Sequence, residues 1–165
     1  MFELKRETPD DWWEVEALYD LCFAPGREAL SSYRLRDGVN PVPELSLVAR
    51  DPEGILAGAI RFWPVRIGEH PVLLLGPIAV HPTRQAEGLG GLLIRTSLEA
   101  AKEAGERRVL LVGDAPYYGR FGFAKIEGVE MPPPTNPDRI LGRALQRGGW
   151  DGVRGTVERM DAAES

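Results

Sequence analysis

Apolar and polar residues alternate over positions 2–8, and this period of two predicts a short first strand. The period then changes. In TPDDWWEVEALYDLCF the residues Trp12, Val15, Tyr19 and Cys22 recur at helical spacing and are expected to form a buried stripe. Thr8 can cap that helix and Pro9 suits its first position. Asp10 and Asp11 fall in the first turn, where the helix dipole favours anions. A second, weaker helix is expected over residues 27–36. The stretch ELSLVARDPEGILAGAIRFWPV reads as a hairpin, two strands about a turn at residues 51–54.

PVLLLGPIAV is almost wholly apolar, as expected of a central strand covered on both faces. Yet it holds Gly76 and Pro77, and a proline there removes a ladder donor. A bulge, or an end to pairing on one side, resolves the conflict. A helix follows, with Leu89, Leu92, Leu93, Thr96 and Ala100 expected on its buried face and Gly105 as a left-handed cap. RRVLLVGD is another apolar strand. Strand, helix and strand make a crossover unit, so the two strands should run parallel. APYYGRFGF reads as a short helix leading into a strand, MPPPTNP as a loop, and residues 139–145 as a late strand. No pattern assigns an element to the last residues.

The length of 165 residues suits one domain spanning 1–165 with a core of its own. A formal charge of −5 argues against nucleic acid or an anionic membrane as the main partner. Residues 1–13 lack the apolar stretch of a secretory signal, and no apolar run approaches the ~20 residues of a membrane span. Cys22 is the sole cysteine, so no internal disulfide can form. A cytoplasmic setting is expected.

Three glycines, Gly88, Gly90 and Gly91, stand where the best helix begins. Each costs roughly 0.5–1 kcal/mol inside a helix relative to alanine, so something must come close to the backbone there. Helix N-termini carry unpaired N–H groups and partial positive charge, and phosphates are their usual occupants. A P-loop would need Lys-Ser or Lys-Thr after its last glycine. A dinucleotide fingerprint would need glycine where Leu93 stands and a tight turn after the strand. Neither spacing fits. The pattern [QR]-x-x-G-x-[GA] does fit, as Gln85-Ala86-Glu87-Gly88-Leu89-Gly90. In order with GPIAV, HP, LLVGD and YYGRFGF, it resembles the core of the GCN5-related N-acetyltransferases (the GNAT superfamily) over residues 73–123. The GDAPYYGRFGF ending is similar to that of a bacterial branch.

The resemblance implies an α/β (α+β) fold of the acyl-CoA N-acyltransferase type. Such a fold has a mixed central sheet with helices on both faces, and its parallel strands four and five splay apart. Acetyl-CoA would be the cosubstrate, with no metal. Its pantetheine arm would pair with backbone groups of Ile78, Ala79 and Val80 much as an added strand would. The pyrophosphate would sit on amides of Ala86, Glu87, Gly88, Leu89, Gly90 and Gly91, with Gln85 opening the motif. Asp114 stands where many relatives carry an asparagine facing the pantetheine. Tyr118, four residues before Gly122-Phe123, matches the family's general acid, while Tyr117 is one residue out of register. Glu87 departs from the family, which commonly has Lys or Arg there. Arg84 offers compensation.

Other residues carry plainer readings. His81 in VHP reads as a loop histidine bonded locally, His70 as a turn residue, and Cys22 as a small buried hydrophobe. No general base stands out. The resemblance implies acetyl transfer to a primary amine of a small molecule or a protein, by direct attack in a ternary complex. It is compatible with a homodimer. The alternative from another class is an acyl-CoA-binding sensor or regulatory module without turnover, favoured by Glu87 and the missing base and opposed by Tyr118.

Overall fold

The computed structural model describes residues 1–23, 35–36, 39–133 and 135–160. All but Leu35 and Arg36 of the second helix expected at 27–36 lie outside the described residues. The strands are β1 (Glu3–Arg6), β2 (Leu47–Arg50), β3 (Leu56–Ile67), β4 (His70–Val80), β5 (Arg108–Val112), β6 (Ala124–Lys125), β7 (Val129–Glu130), β8 (Ile140–Ala144) and β9 (Gly155–Arg159). They form a mixed sheet in the order β1-β2-β3-β4-β5-β8-β6, with β9 joined to the far half of β3 and β7 joined to β9. Among the described residues the α-helices are α1 (Trp12–Cys22), α2 (Leu89–Glu103) and the single turn α3 (Ala115–Tyr118).

The expected hairpin is β2 and β3, closed by the Asp51 turn, where Gly54 donates to the Asp51 carbonyl at 2.9 Å. The long apolar stretch is β4. Its pairing with β3 slips between Ile60↔Ile78 and Phe62↔Leu75, so Gly76 and Pro77 face the single residue Arg61. This is the bulge that the proline required. The extra residue also reverses which residues face which side. Before it Leu73 and Leu75 pack with α2, and after it Ile78 and Val80 do, while Ala79 turns to α1.

The two faces follow from β3, where Ala59 packs beneath α1 and its neighbour Ile60 beneath α2. On α1 the buried residues are Val15, Leu18 and Tyr19. Trp12, expected in that stripe, is 37 % exposed at the helix start, where its ring covers the Arg61 guanidinium at 4.1 Å. Cys22 is only half-buried. On α2 the buried arc is Leu89, Leu93, Ile94, Ser97, Leu98 and Ala101. Leu92 and Thr96 are exposed. The arc is turned roughly a quarter-turn from the expected stripe at 3.6 residues per turn, because the sheet lies to the side of Ile94 and Leu98. Gly105 is left-handed, at φ 86°, and ends α2 as expected.

The crossover through α2 delivers β5 parallel to β4, but only Leu73↔Val109 and Leu74↔Leu110 pair. Below them Arg108 draws the strands together by donating to the Pro71 and Gly149 carbonyls. Above them the strands diverge, β4 running on for six more residues beside β3 while β5 pairs with β8. The sheet is therefore closed at one end of this seam and open at the other. The C-terminal strand β9, for which the pattern predicted nothing, pairs with Val65–Ile67.

Candidate active site

The open seam exposes one edge of β4. His81 N–H donates across to Ala57 at 2.8 Å. Along an antiparallel strand successive residues turn their N–H groups to opposite edges, so those of Ile78 and Val80 point into the gap. The carbonyls around the bulge are held by side chains. Trp63 Nε1 donates to Gly76 at 2.7 Å and the Tyr19 hydroxyl to Pro77 at 3.0 Å. The Val80 carbonyl accepts from Gln85 Nε2 at 3.2 Å and Cys22 Sγ at 3.4 Å. Gln85 thereby ties the end of β4 to the loop that follows. Burial pushes the Cys22 thiol up, which disfavours the thiolate a nucleophile needs.

That loop is a 3-10 segment, Pro82–Glu87, capped by His81, whose Nδ1 accepts from the Thr83 N–H at 3.2 Å. His81 is thus bonded locally, as read from the sequence. Gly88 takes φ 74°, a left-handed conformation that costs glycine nothing and swings the chain into α2. The first N–H groups of α2 then face solvent at the mouth of the gap.

On the opposite wall stands the APYYGRFGF segment. Asp114 caps α3 by accepting from the Tyr117 N–H at 3.0 Å. The two tyrosine rings meet edge to face, 4.9 Å apart at 87°. Tyr117 turns towards the glycines, where its hydroxyl would lie 3.4 Å from a Cβ on Gly90. Tyr118 turns instead to the end of β5, its ring seated so closely on Gly113 that a Cβ there would come within 2.5 Å. A cleft of about 480 Å³ joins these parts, lined by Ile78, Ala79, Val80, Gln85, Gly88, Gly90 and Gly91 on one side and by Arg95, Tyr117, Arg120 and Phe121 on the other.

A bulged strand, a splayed parallel neighbour and a glycine-rich helix start thus meet in one cleft. The profile described as "Acetyltransferase (GNAT) family" matches residues 12–123. The chain belongs to the GNAT acetyltransferase family. Its reaction class follows from that membership: acetyl-CoA-dependent transfer to an amine nitrogen. The chain is 32 % identical to the uncharacterized N-acetyltransferase YhbS of Escherichia coli K12, over 94 % of each chain. It is 40 % identical to YjhQ of the same strain, over 80 % of this chain and 73 % of that one. YhbS solved with CoA superposes at a TM-score of 0.83 with 28 % identity, over 96 % of this chain and 89 % of that one. A GNAT acetyltransferase of Brucella melitensis, solved with acetyl-CoA, gives 0.71 with 30 % identity over 100 % and 99 %.

Within this GNAT cleft the structure gathers Ile78, Ala79, Val80, Gln85, Gly88, Gly90 and Gly91. Leu89 is 1 % exposed and anchors the loop through its side chain, leaving only its backbone for a ligand. Ala86, Glu87, Asp114 and Tyr118 do not line the cleft. Glu87 is drawn away by Arg84, whose Nε and Nη2 hold both carboxylate oxygens and whose Nη1 reaches Asp51 at 3.1 Å. That contact holds Glu87 below the usual carboxylate range. Sequence reasoning missed Arg95 and Arg120. The signal for Arg95 was available, since it lies one helical turn from Gly91 on the same face. Among the described residues no group of His, Cys, Asp or Glu could hold a metal ion, and no helix is long and apolar enough to cross a membrane.

The Arg84 pairing sets the expected size of one effect. Glu87→Lys should tighten acetyl-CoA binding only about two- to fivefold at low salt, the scale of one charge near a helix N-terminus, and the gain should vanish as salt rises. Calorimetry at two ionic strengths checks this. No gain at low salt would mean that the carboxylate has no influence on the cleft.

Proposed function

We propose that this chain, as a single domain over residues 1–165, transfers the acetyl group of acetyl-CoA to a primary amine by direct attack in a ternary complex. The observation that carries the reading is the unpaired edge of β4 opening directly onto the glycine-rich start of α2. One edge offers strand-like hydrogen bonds to the pantetheine amides. The other offers backbone N–H groups and a dipole to the pyrophosphate. The CoA and acetyl-CoA bound in the solved relatives support the same ligand here. We assign the phosphate contacts to amides from Ala86 to Gly91 and the pantetheine contacts to Ile78, Ala79 and Val80. Asp114 acts through the turn it caps.

Catalysis then rests on alignment and polarisation. The Val80 N–H, turned into the gap, donates to the thioester carbonyl. The neutral amine attacks that carbon, the C–S bond breaks, and the sulfur takes a proton from the Tyr118 hydroxyl. The nitrogen gives its surplus proton to water, and the phenol is reprotonated from solvent. The amine must first be neutral. At pH 7 this costs about 4–5 kcal/mol for a lysine-like amine with pKa ~10.4 and about 1 kcal/mol for an α-amine with pKa ~7.8. With no base among the described residues that line the cleft, a low-pKa amine suits the enzyme better, whether on a small molecule or a protein. The cytoplasm, as a reducing compartment, suits the unpaired Cys22. A homodimer is compatible with this reading.

Gly90→Val tests the binding half. The α2 start tolerates a Cβ, which would meet Tyr117 Oη at 3.4 Å and Val80 Cγ2 at 3.7 Å. The two γ-methyls, however, would occupy the phosphate approach. Acetyl-CoA affinity should fall by about 100-fold or more, the worth of one or two charge-assisted hydrogen bonds. Unchanged affinity with a folded variant would remove the loop from the binding site.

A further inference from the structure

Some arginines of the described structure hold a carboxylate and others do not. Arg50, Arg61, Arg66 and Arg84 each hold a carboxylate. Arg95 and Arg120 hold none among the described residues, although the chain carries 25 acidic residues against 20 basic ones. Both line the cleft beside Gly88, Gly90 and Gly91. Side chains lean towards the start of their helix, so Arg95 brings its charge back over the first turn of α2. Its Nη1 would lie 3.0 Å from a Cβ on Gly91, so the guanidinium sits close against the first turn of α2. A cation at that positive end is unfavourable until an anion joins it.

The guanidiniums are also held in place by rings. Arg95 lies over Phe121 at 5.0 Å and Arg120 over Tyr117 at 5.4 Å, while the two rings meet at 5.6 Å. The result is two planar donors on one aromatic support, lining the same cleft as the glycine-rich start of α2. The backbone N–H groups of that start suffice for a diphosphate. Two further fixed positive charges match one more dianionic phosphate monoester. Resting on the acyl-CoA reading above, we infer that Arg95 and Arg120 clamp the ribose 3′-phosphate of the donor and select for 3′-phosphorylated CoA.

Calorimetry with CoA and with 3′-dephospho-CoA tests this on the wild type, Arg95→Gln, Arg120→Gln and the double variant, with melting temperatures as a folding control. The wild type should prefer CoA by about tenfold or more, and the preference should narrow with salt. Each single variant should lose CoA affinity several-fold while binding dephospho-CoA within about twofold of wild type, and the double variant should bind the two alike. Equal weakening for both ligands would place the arginines on the diphosphate and overturn the proposal. So would a wild type that binds both ligands equally. A wild type that binds neither would instead overturn the acyl-CoA reading beneath it.

Discussion

Replacing Tyr118 by phenylalanine is expected to lower kcat by about 10²–10⁴-fold while acetyl-CoA affinity stays within about twofold, since in the proposed mechanism only the transition state uses the lost hydroxyl. The Tyr118 ring sits beside Tyr117, just beyond the residues that line the cleft, on α3, which Asp114 caps, and against Gly113, so the proposed transfer requires the thioester sulfur to reach the end of β5. Burial, reinforced by the neighbouring phenol of Tyr117, pushes the Tyr118 hydroxyl up to about 12. An acid works in its protonated form, and this raised value keeps Tyr118 protonated throughout the physiological range while making it a weaker donor than an exposed phenol. Between about pH 6 and 10, kcat/KM should rise as the acceptor amine loses its proton, with no falling limb from Tyr118. Tyr117→Phe should cost far less in kcat, because its hydroxyl faces Gly90 rather than the end of β5. Steady-state kinetics of both variants settle the matter. Full activity in Tyr118→Phe would leave alignment and the Val80 N–H as the whole mechanism.

Arg61→Ala is expected to destabilise the protein by about 3–5 kcal/mol, the cost of leaving a buried carboxylate without its partner. Arg61 is 2 % exposed and stands opposite the bulge in β4. Its Nε and Nη2 each donate to Glu7 at 2.9 Å, and Nη1 reaches Glu16 in α1. The guanidinium also lies 5.1 Å from the ring of Tyr19, whose hydroxyl holds the Pro77 carbonyl. The ion network therefore ties α1 to β3, and Tyr19 ties α1 to the bulge of β4. Melting temperature should drop by about 6–20 °C for a chain of this size. Adding Glu7→Gln to Arg61→Ala should recover part of the loss, because the stranded charge is then gone. A drop of only a degree or two would show that the network adds little to stability.

Much of this was legible in the sequence because local rules collided there. A proline in an apolar strand could only mean a bulge or an unpaired edge, and the structure has both, beginning at Gly76 and Pro77. Glycines at the start of a good helix could only mean close approach to backbone, and they line the cleft. What local pattern could not supply was direction. Which arc of α2 is buried depends on where the sheet lies, so Leu92 and Thr96 were misplaced while Ile94 and Leu98 were overlooked. That Tyr117 rather than Tyr118 borders the cleft follows from the twist of a single helical turn. Arg95 and Arg120 line one cleft because the 3-10 turn Gly119–Phe121 sets Phe121 against Gly91 and Arg95 of α2. The β9 strand is short and has no clean alternation, and its place is set by the free far half of β3.

The central claim is that acetyl-CoA held in the seam between β4 and β5 gives up its acetyl group to an amine. The most direct measurement is the release of free CoA thiol when the protein, acetyl-CoA and a panel of primary amines of graded pKa are mixed at neutral pH. The account predicts amine-dependent release, fastest with the low-pKa amines and strongly reduced in Tyr118→Phe. Acetyl-CoA bound one molecule per chain, with no thiol released in the presence of any amine, would contradict it and make the chain an acyl-CoA sensor.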